Sequence, residues 1–180
     1  LTYSVSSVVC STDPATTEIY PLSLHDALPI WLFFLAKIVM QEQGVYLGQE
    51  LGMHYPASEL FQPYQMVTHI FMHGDFFHLL FNMIGLIVFG SQLERVWGKK
   101  RFFIFYFVTA FGAAILHTFV QGIEIYNITG TWMPDFEQLD TMSRTNVISY
   151  ESANSVVLKL IIPTVGASGA IYGLLMAFAL

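Results

Sequence analysis

The chain has 180 residues, of which 54% are hydrophobic, 16% aromatic and only 11% charged. That balance is too apolar for an ordinary soluble domain and predicts a protein whose main partner is the lipid bilayer. The formal charge of -6, with seven lysines and arginines in all, argues against nucleic acid as a partner, because phosphate backbones are bound by clustered cations. The single cysteine, Cys10, cannot form an internal disulfide, and no Cys or His spacing fits a zinc site, so we expect neither a metal nor another cofactor.

Residues 1–30 have no apolar period and are rich in Ser, Thr and Pro, as is typical of a disordered leader or a targeting segment. Within them, residues from about 11 to 30 resemble the translated read-through of a sequencing adapter. We therefore interpret residues 1–30 as an artefactual or disordered leader, with a genuine polar tail as the alternative. Cys10, His25 and Asp26 then have no functional meaning.

The next two segments, residues 31–40 and 41–75, come before the predicted spanning helices. Residues 31–40 (WLFFLAKIVM) are apolar, but they are half of the roughly 20 residues that a spanning helix needs, so they indicate a partial first transmembrane helix or a short interfacial one. Residues 41–75 mix polar and apolar side chains without a period and contain Pro56 and Pro63. They predict a long external first loop with short helical pieces at the interface.

Two spanning helices are predicted after this loop, over residues 76–96 and 102–120. The short connection between them carries four of the seven cations and is assigned to the cytoplasm by the positive-inside rule: Arg95, Lys99, Lys100 and Arg101. The first of these helices therefore runs from outside to inside, and the second returns.

The remaining sequence predicts an external connection and one more helix. Residues 121–163 carry more acidic than basic side chains and exceed normal loop lengths, so we expect a short amphipathic helix within them, over 151–162. Residues 164–180 are apolar again and predict a fourth helix that re-enters from outside and is cut short by the end of the sequence. The fold class is therefore an all-α, polytopic membrane helical bundle.

Two polar residues on the second helix, His78 and Asn82, are four positions apart and so share one helix face about 6 Å from each other. Polar groups inside a membrane are costly and usually face a bundle interior or a wet cavity, which makes the pair a functional candidate. Structural hydrogen bonding between helices is the alternative interpretation.

A serine between two glycines, in Gly166-Ala167-Ser168-Gly169, begins the last predicted helix. Small residues in membrane helices usually serve packing, and Gly169 with Gly173 also forms a GxxxG pair. The predicted topology strengthens the functional interpretation, because it puts His78, Asn82 and Ser168 at similar depth below the external surface on helices of the same direction.

The sequences THIFMHGDFFHLLFNMIGLIVFGSQLERVWG at 68–98 and GASGAIYG at 166–173 resemble the rhomboid family of intramembrane serine proteases. The resemblance covers about residues 31–180 and implies a rhomboid-like bundle truncated after the start of its fourth transmembrane helix. It implies that Ser168 attacks a peptide carbonyl of a transmembrane protein substrate. The side chains of His78 and Asn82, with the Ser168 backbone N–H, would hold the oxyanion.

Further matching residues have supporting roles in the resemblance. Tyr172 matches an aromatic residue that packs on the catalytic imidazole, and Gly166 and Gly169 flank the nucleophile. Glu94 matches an acidic residue that ties the second helix to the basic loop. Two more histidines match residues that brace the first loop: His69 and His73.

The sequence also departs from the family pattern. A Trp-Arg pair expected before Thr68 reads Tyr64-Gln65, which puts the anchoring of the first loop in doubt, and Val96 replaces a basic residue. The catalytic histidine of the family belongs to a sixth helix, and this sequence ends before it. His117 is a poor substitute, and we interpret it as a packing or interfacial residue.

The resemblance predicts a serine-type endopeptidase, a multi-pass protein of a bacterial inner membrane whose active site opens to the external side. The chain as given is expected to be inactive. A rhomboid-like protein that binds transmembrane clients without cutting them is the alternative, and a transporter or channel lined by His78 and Asn82 leaves GASG and Tyr172 unexplained. A site-two type metalloprotease is excluded, because there is no His-Glu-x-x-His run.

Overall fold

The computed structural model describes residues 28–180. The predicted leader, 1–30, therefore lies outside the described residues except for 28–30, which begin the first helix. The all-α prediction is confirmed, since the described part contains helices, turns and one isolated β-bridge. The helices are α1 Leu28–Glu42, α2 Leu47–Leu51, α3 Gln65–Thr68, α4 Phe76–Gly85, α5 Ser91–Trp97, α6 Lys99–Thr129, α7 Phe136–Arg144, α8 Tyr150–Ile161 and α9 Ser168–Ala179.

Two helical segments of the described chain are long and apolar enough to cross a membrane, by length and composition alone. The first is Phe76–Trp97, in which a π-helical turn, Leu86–Gly90, joins α4 and α5. The second is α6, which has 31 residues. A shorter apolar helix, α9, has 12 residues.

Helix α6 is longer than the third predicted helix, because it begins three residues before 102 and continues nine residues beyond 120. The additional turns of α6 are stabilised by packing. Gly122 and Ile125 are buried on one face of them, and Ile125 belongs to a second cluster of apolar side chains. The segment predicted as an external connection, 121–163, therefore begins as a rigid part of α6.

The first and last helices also differ in extent from their predictions. α1 is longer than the predicted 31–40 at both ends, and Ile30 is buried in the bundle core. α9 begins four residues after the predicted start at 164, because the preceding segment is extended. There Thr164 forms an antiparallel bridge with Met53 of the first loop, with N–O distances of 2.9 and 2.8 Å.

The bundle core is formed where α4, α6 and α9 meet. Gly85 of α4 faces Ile171 of α9, and the rings of Phe89 and Phe178 lie 5.3 Å apart one to two turns further along both helices. Because the contacts follow the same order in both helices, α4 and α9 run parallel.

Helix α6 runs antiparallel to α9 and touches it through small residues. A Cβ added to Gly169 would lie 2.5 Å from the Cβ of Ala113, and one added to Gly173 would lie 2.6 Å from the Cβ of Thr109. The Gly169-Gly173 pair therefore serves helix packing, as one of the two sequence interpretations expected.

A second cluster of apolar side chains lies in what we call the outer layer: the first loop (43–75), the end of α6 (121–129), α7 and α8. Its buried members are Tyr55, Ile125, Leu139, Val156 and Leu160. α8 is one residue shifted from the predicted 151–162. α7 was not predicted, and it begins at an N-cap, Asp135, whose carboxylate accepts a hydrogen bond of 2.7 Å from the Gln138 N–H.

Candidate active site

Ser168 is the first residue of α9 and is half-buried. The N–H groups of the first turn of a helix have no partner within the helix, and they point along its positive end. Ser168 is therefore placed at the positive end of α9, which suits a developing negative charge.

His78 and Asn82 lie in the first two turns of α4. The helix begins at Asp75, whose Oδ1 accepts a hydrogen bond of 2.9 Å from the His78 N–H. The Asn82 Nδ2 donates to the His78 carbonyl at 2.8 Å, and Asn82 is only 5% exposed. The pair thus shares one face of α4, as its spacing predicted.

Gly166 brings the two helices together at this point. A Cβ on Gly166 would lie 2.7 Å from His78 Nε2 and 3.8 Å from Asn82 Nδ2, so the backbone just before Ser168 runs directly along the pair. Gly166 also has a φ of +115°, which favours glycine, and its N–H donates to the His69 carbonyl at 2.8 Å. Glycine is required here both for conformation and for space.

A cavity of about 160 Å³ adjoins Ser168, between α6 and α9. Tyr172, one turn after Ser168, lines it with a ring that is 72% exposed and so is free to pack against a further group. Two histidines also line the cavity, His69 and His117. His117 is exposed, and its predicted role as a packing or interfacial residue stays a prediction.

His69 and His73 are buried and bind backbone carbonyls of the first loop. The Nδ1 of His69 donates to Gln65 O at 2.9 Å, and the Nδ1 of His73 donates to Phe71 O at 3.3 Å. Burial lowers the pKa of His69, and burial together with the nearby His78 lowers the pKa of His73 to about 4. Both imidazoles are therefore neutral at pH 7.

Gln65 is a structural residue that the sequence reasoning missed. It is 1% exposed, and its Oε1 accepts from the N–H groups of His54 and Gln62 at 3.3 and 3.0 Å. Its Nε2 donates to the carbonyls of Glu50 and Leu60 at 3.2 and 3.0 Å. The first loop is thus anchored where the departure from the family pattern put its anchoring in doubt, and no local signal in the sequence marks Gln65 for this role.

At the opposite end of the bundle, Glu94 of α5 is buried. Its carbonyl accepts from the Gly98 N–H at 2.8 Å, and Gly98, with a φ of +79°, turns the chain into α6. Within residues 28–180, no group of three or more His, Cys, Asp or Glu side chains is arranged to hold a metal ion.

The family profile described as the rhomboid domain matches residues 60–180. The chain belongs to the rhomboid family. This rhomboid chain is similar to the rhomboid protease GlpG of Haemophilus influenzae, with 28% identity over 96 residues, 48% of the chain and 50% of that protein.

Two further relatives are similar over comparable lengths. The rhomboid-like protease 3 of Toxoplasma gondii is 33% identical over 114 residues, 57% of the chain and 43% of that protein. The putative rhomboid protease YdcA of Bacillus subtilis is 34% identical over 79 residues, 43% of the chain and 37% of that protein. The chain spans half or less of the length of these rhomboid relatives, and the family with its apolar helices makes it an integral membrane protein.

Proposed function

We propose that the protein to which this chain belongs is a rhomboid-type intramembrane serine endopeptidase, and that Ser168 is its nucleophile. The single observation that supports this most is the closeness of Gly166, two residues before Ser168, to the pair: a Cβ added there would lie 2.7 Å from His78 Nε2 and 3.8 Å from Asn82 Nδ2. A hydroxyl, two side-chain donors and a helix N-terminus are thereby brought to the same end of a membrane helical bundle.

The donors hold the oxyanion. When Ser168 attacks a peptide carbonyl, the carbonyl oxygen becomes negatively charged and is stabilised by the imidazole Nε2–H of His78, the Asn82 amide and the Ser168 N–H. Asn82 uses one amide hydrogen on the His78 carbonyl, at 2.8 Å, and has a second to offer. Because these donors sit on packed helices, they need little reorganisation during the reaction.

A general base completes the mechanism, because a serine hydroxyl is a weak nucleophile at its ordinary pKa. The family resemblance assigns the base to a histidine on the sixth helix of the rhomboid fold. The exposed ring of Tyr172 is the surface on which that imidazole packs. His69 lines the same cavity, and its Nδ1 donates to the Gln65 carbonyl at 2.9 Å, which ties the ring to the first loop.

The substrates are transmembrane proteins, and the site opens to the external side of a bacterial inner membrane. The four cations near 95–101 are exposed at the end of the bundle opposite Ser168, where the positive-inside rule assigns the cytoplasm. Cleavage then occurs near the external end of a substrate helix.

The test uses the complete gene product in membranes with a model transmembrane substrate. Ser168→Ala should reduce the cleavage rate by at least about 10³-fold and abolish labelling by a fluorophosphonate. Ser91→Ala is the matched control, because that hydroxyl lies in the same bundle and only donates to the Ile87 carbonyl. His117→Gln should keep most activity, since the base lies elsewhere.

Unchanged cleavage by Ser168→Ala would refute the assignment of the nucleophile. A wild-type protein that binds the substrate without cleaving or labelling would instead support a client-binding, non-proteolytic rhomboid. Loss of labelling in His117→Gln, with Ser168 intact and the fold retained, would move the base to α6.

A further inference from the structure

Lys37 is the one charged side chain in the apolar helix α1 before its last residue, Glu42. An ammonium group in a membrane helix is costly and usually pairs with carbonyls or faces the protein interior. Here the Lys37 Nζ donates to the carbonyls of His73 and Gly74 at 2.7 and 2.6 Å, and it lies 5.8 Å from the centre of the Phe34 ring. The side chain is thus directed at the backbone immediately before α4.

The peptide bond between His73 and Gly74 connects Lys37 to the candidate oxyanion site. Its carbonyl accepts from Lys37, and its N–H, which belongs to Gly74, donates to His78 Nδ1 at 3.4 Å. A hydrogen bond to an ammonium polarises the peptide and strengthens the donor at its other end. The bond from the Gly74 N–H to His78 Nδ1 is long at 3.4 Å and therefore weak, so a more polarised donor strengthens it noticeably.

The direction of this chain of bonds determines which nitrogen of His78 carries the proton. A neutral imidazole that accepts at Nδ1 has its hydrogen on Nε2. Nε2 is the atom that faces Gly166, where a Cβ would be only 2.7 Å away. The arrangement therefore leaves a donor, and not a lone pair, on the side of Ser168.

Other contacts hold the same segment in place. Asp75 caps α4 by accepting from the His78 N–H at 2.9 Å, and its charge acts on Lys37. The ring of His73 lies edge-on to that of His78, with centroids 5.1 Å apart. Of these neighbours within the described chain, the Gly74 N–H is the hydrogen-bond donor to His78 Nδ1.

We propose that Lys37 is a positioning residue that sets the tautomer and orientation of the His78 imidazole through the peptide bond between His73 and Gly74. The effect of Lys37 on the His78 tautomer is argued from the hydrogen bonds described above, whereas its effect on catalysis rests on the proposed function. Arginine keeps the charge and the donors, whereas methionine keeps the length and suits the bilayer.

The first experiment reads the tautomer without using activity. The complete gene product, labelled with ¹⁵N-histidine, is placed in lipid nanodiscs at pH 8, and the two ring nitrogens of each imidazole are assigned by long-range ¹H–¹⁵N correlation. Wild type and Lys37→Arg should show His78 protonated at Nε2. Lys37→Met should show a mixture of tautomers or loss of the Nε2–H form, and Gln41→Met, one turn further along α1, should leave the spectrum unchanged.

The second experiment measures cleavage by the complete gene product. Lys37→Met should lower kcat by about 10-fold with little change in KM, on the scale of one charge-assisted hydrogen bond, and Lys37→Arg should restore most of it. Helical circular dichroism of each variant checks the fold.

A Lys37→Met spectrum that keeps His78 fully protonated at Nε2, in a folded protein, would overturn the inference even if proteolysis by Ser168 is established. A shifted tautomer in a protein that cleaves nothing would support the positioning role while the proposed function fails. A fall in kcat without any tautomer change would also count against it.

Discussion

The bundle and the outer layer are held together by different kinds of contact. In the bundle, helices touch where side chains are missing or small, at Gly85, Gly169 and Gly173. In the outer layer, buried polar side chains bind the backbone of other segments: Gln65 joins four backbone groups, and Tyr55 donates to the Trp132 carbonyl at 3.0 Å.

The difference follows from the surroundings of the two regions. In a bilayer, apolar side chains gain nothing by leaving lipid for protein, so close packing of small residues stabilises helix pairs. Irregular backbone such as that of the first loop needs partners for every buried N–H and C=O, and side chains such as Gln65 provide them. Substitutions that remove space should therefore damage the bundle most, and substitutions that remove donors should damage the outer layer.

Gly169→Val should have the largest effect. Even the first carbon of the new side chain would lie 2.5 Å from the Cβ of Ala113, which belongs to a packed helix and cannot rotate away. We expect a loss of about 3 kcal/mol or more in the free energy of unfolding. SDS titration of the protein in micelles, followed by circular dichroism, measures it.

Gly112→Ala is the control for this substitution, because nothing lies within 4 Å of a Cβ added at Gly112. Alanine is the better helix former, so this variant should be as stable as wild type or slightly more so. Equal stability of Gly169→Val and wild type would contradict the close packing of α6 on α9.

Gln65→Leu should have a smaller effect, confined to the outer layer. It keeps the volume but leaves four backbone groups of the first loop without their partner, for a loss of about 2 kcal/mol. Faster hydrogen exchange should appear in residues 50–65, with the exchange of α9 unchanged. The exposed neighbour Gln62→Leu should behave as wild type, and slowed or unchanged exchange in 50–65 would show that Gln65 is not the anchor.

His73 should give the smallest effect, visible only as a dependence on pH. Its pKa in the folded protein is about 4, below the ordinary value of 6.5, so the unfolded chain binds the proton more readily as pH falls through this range. Stability contributed by the neutral imidazole is complete above 6.5 and is lost toward pH 4. Between pH 7 and 5.5 the wild type should lose about 1 kcal/mol more than His73→Gln.

The same pH comparison with Gln62→Leu is the control, because Gln62 is exposed and this substitution changes no titratable group. Its slope with pH should match that of wild type. If His73→Gln keeps the full wild-type slope, the buried imidazole of His73 is not the source of the acid sensitivity.

The sequence predicted those parts of the fold that depend on local pattern. Apolar length gave the two spanning segments, and the four-residue spacing put His78 and Asn82 on one face. Helix α7 escaped prediction although its start carries a usable signal, the N-cap Asp135 three residues before Gln138. The end of α6 was not predicted because the run of apolar residues ends at the membrane surface, whereas the helix continues beyond it.

Other features of the site depend on contacts between distant segments and have no local signal. The buried bonds of Gln65 span up to 15 residues, and those of Lys37 reach 36 and 37 residues along the chain. A lysine within an apolar helix is itself unusual enough to mark it for attention. The partners of Lys37 are backbone carbonyls, which every residue has, so the sequence does not identify them.

The length of α6 couples the outer layer mechanically to the bundle. Its 31 residues span about 46 Å, whereas the hydrocarbon core is about 30 Å thick, so some 16 Å of rigid helix project beyond it. A bilayer of different thickness changes the tilt of such a helix, and a tilt of about 10° displaces its free end by roughly 3 Å. We expect a change in membrane thickness to displace the first loop and α8, which pack on that projecting end, and α8 leads into the segment before Ser168.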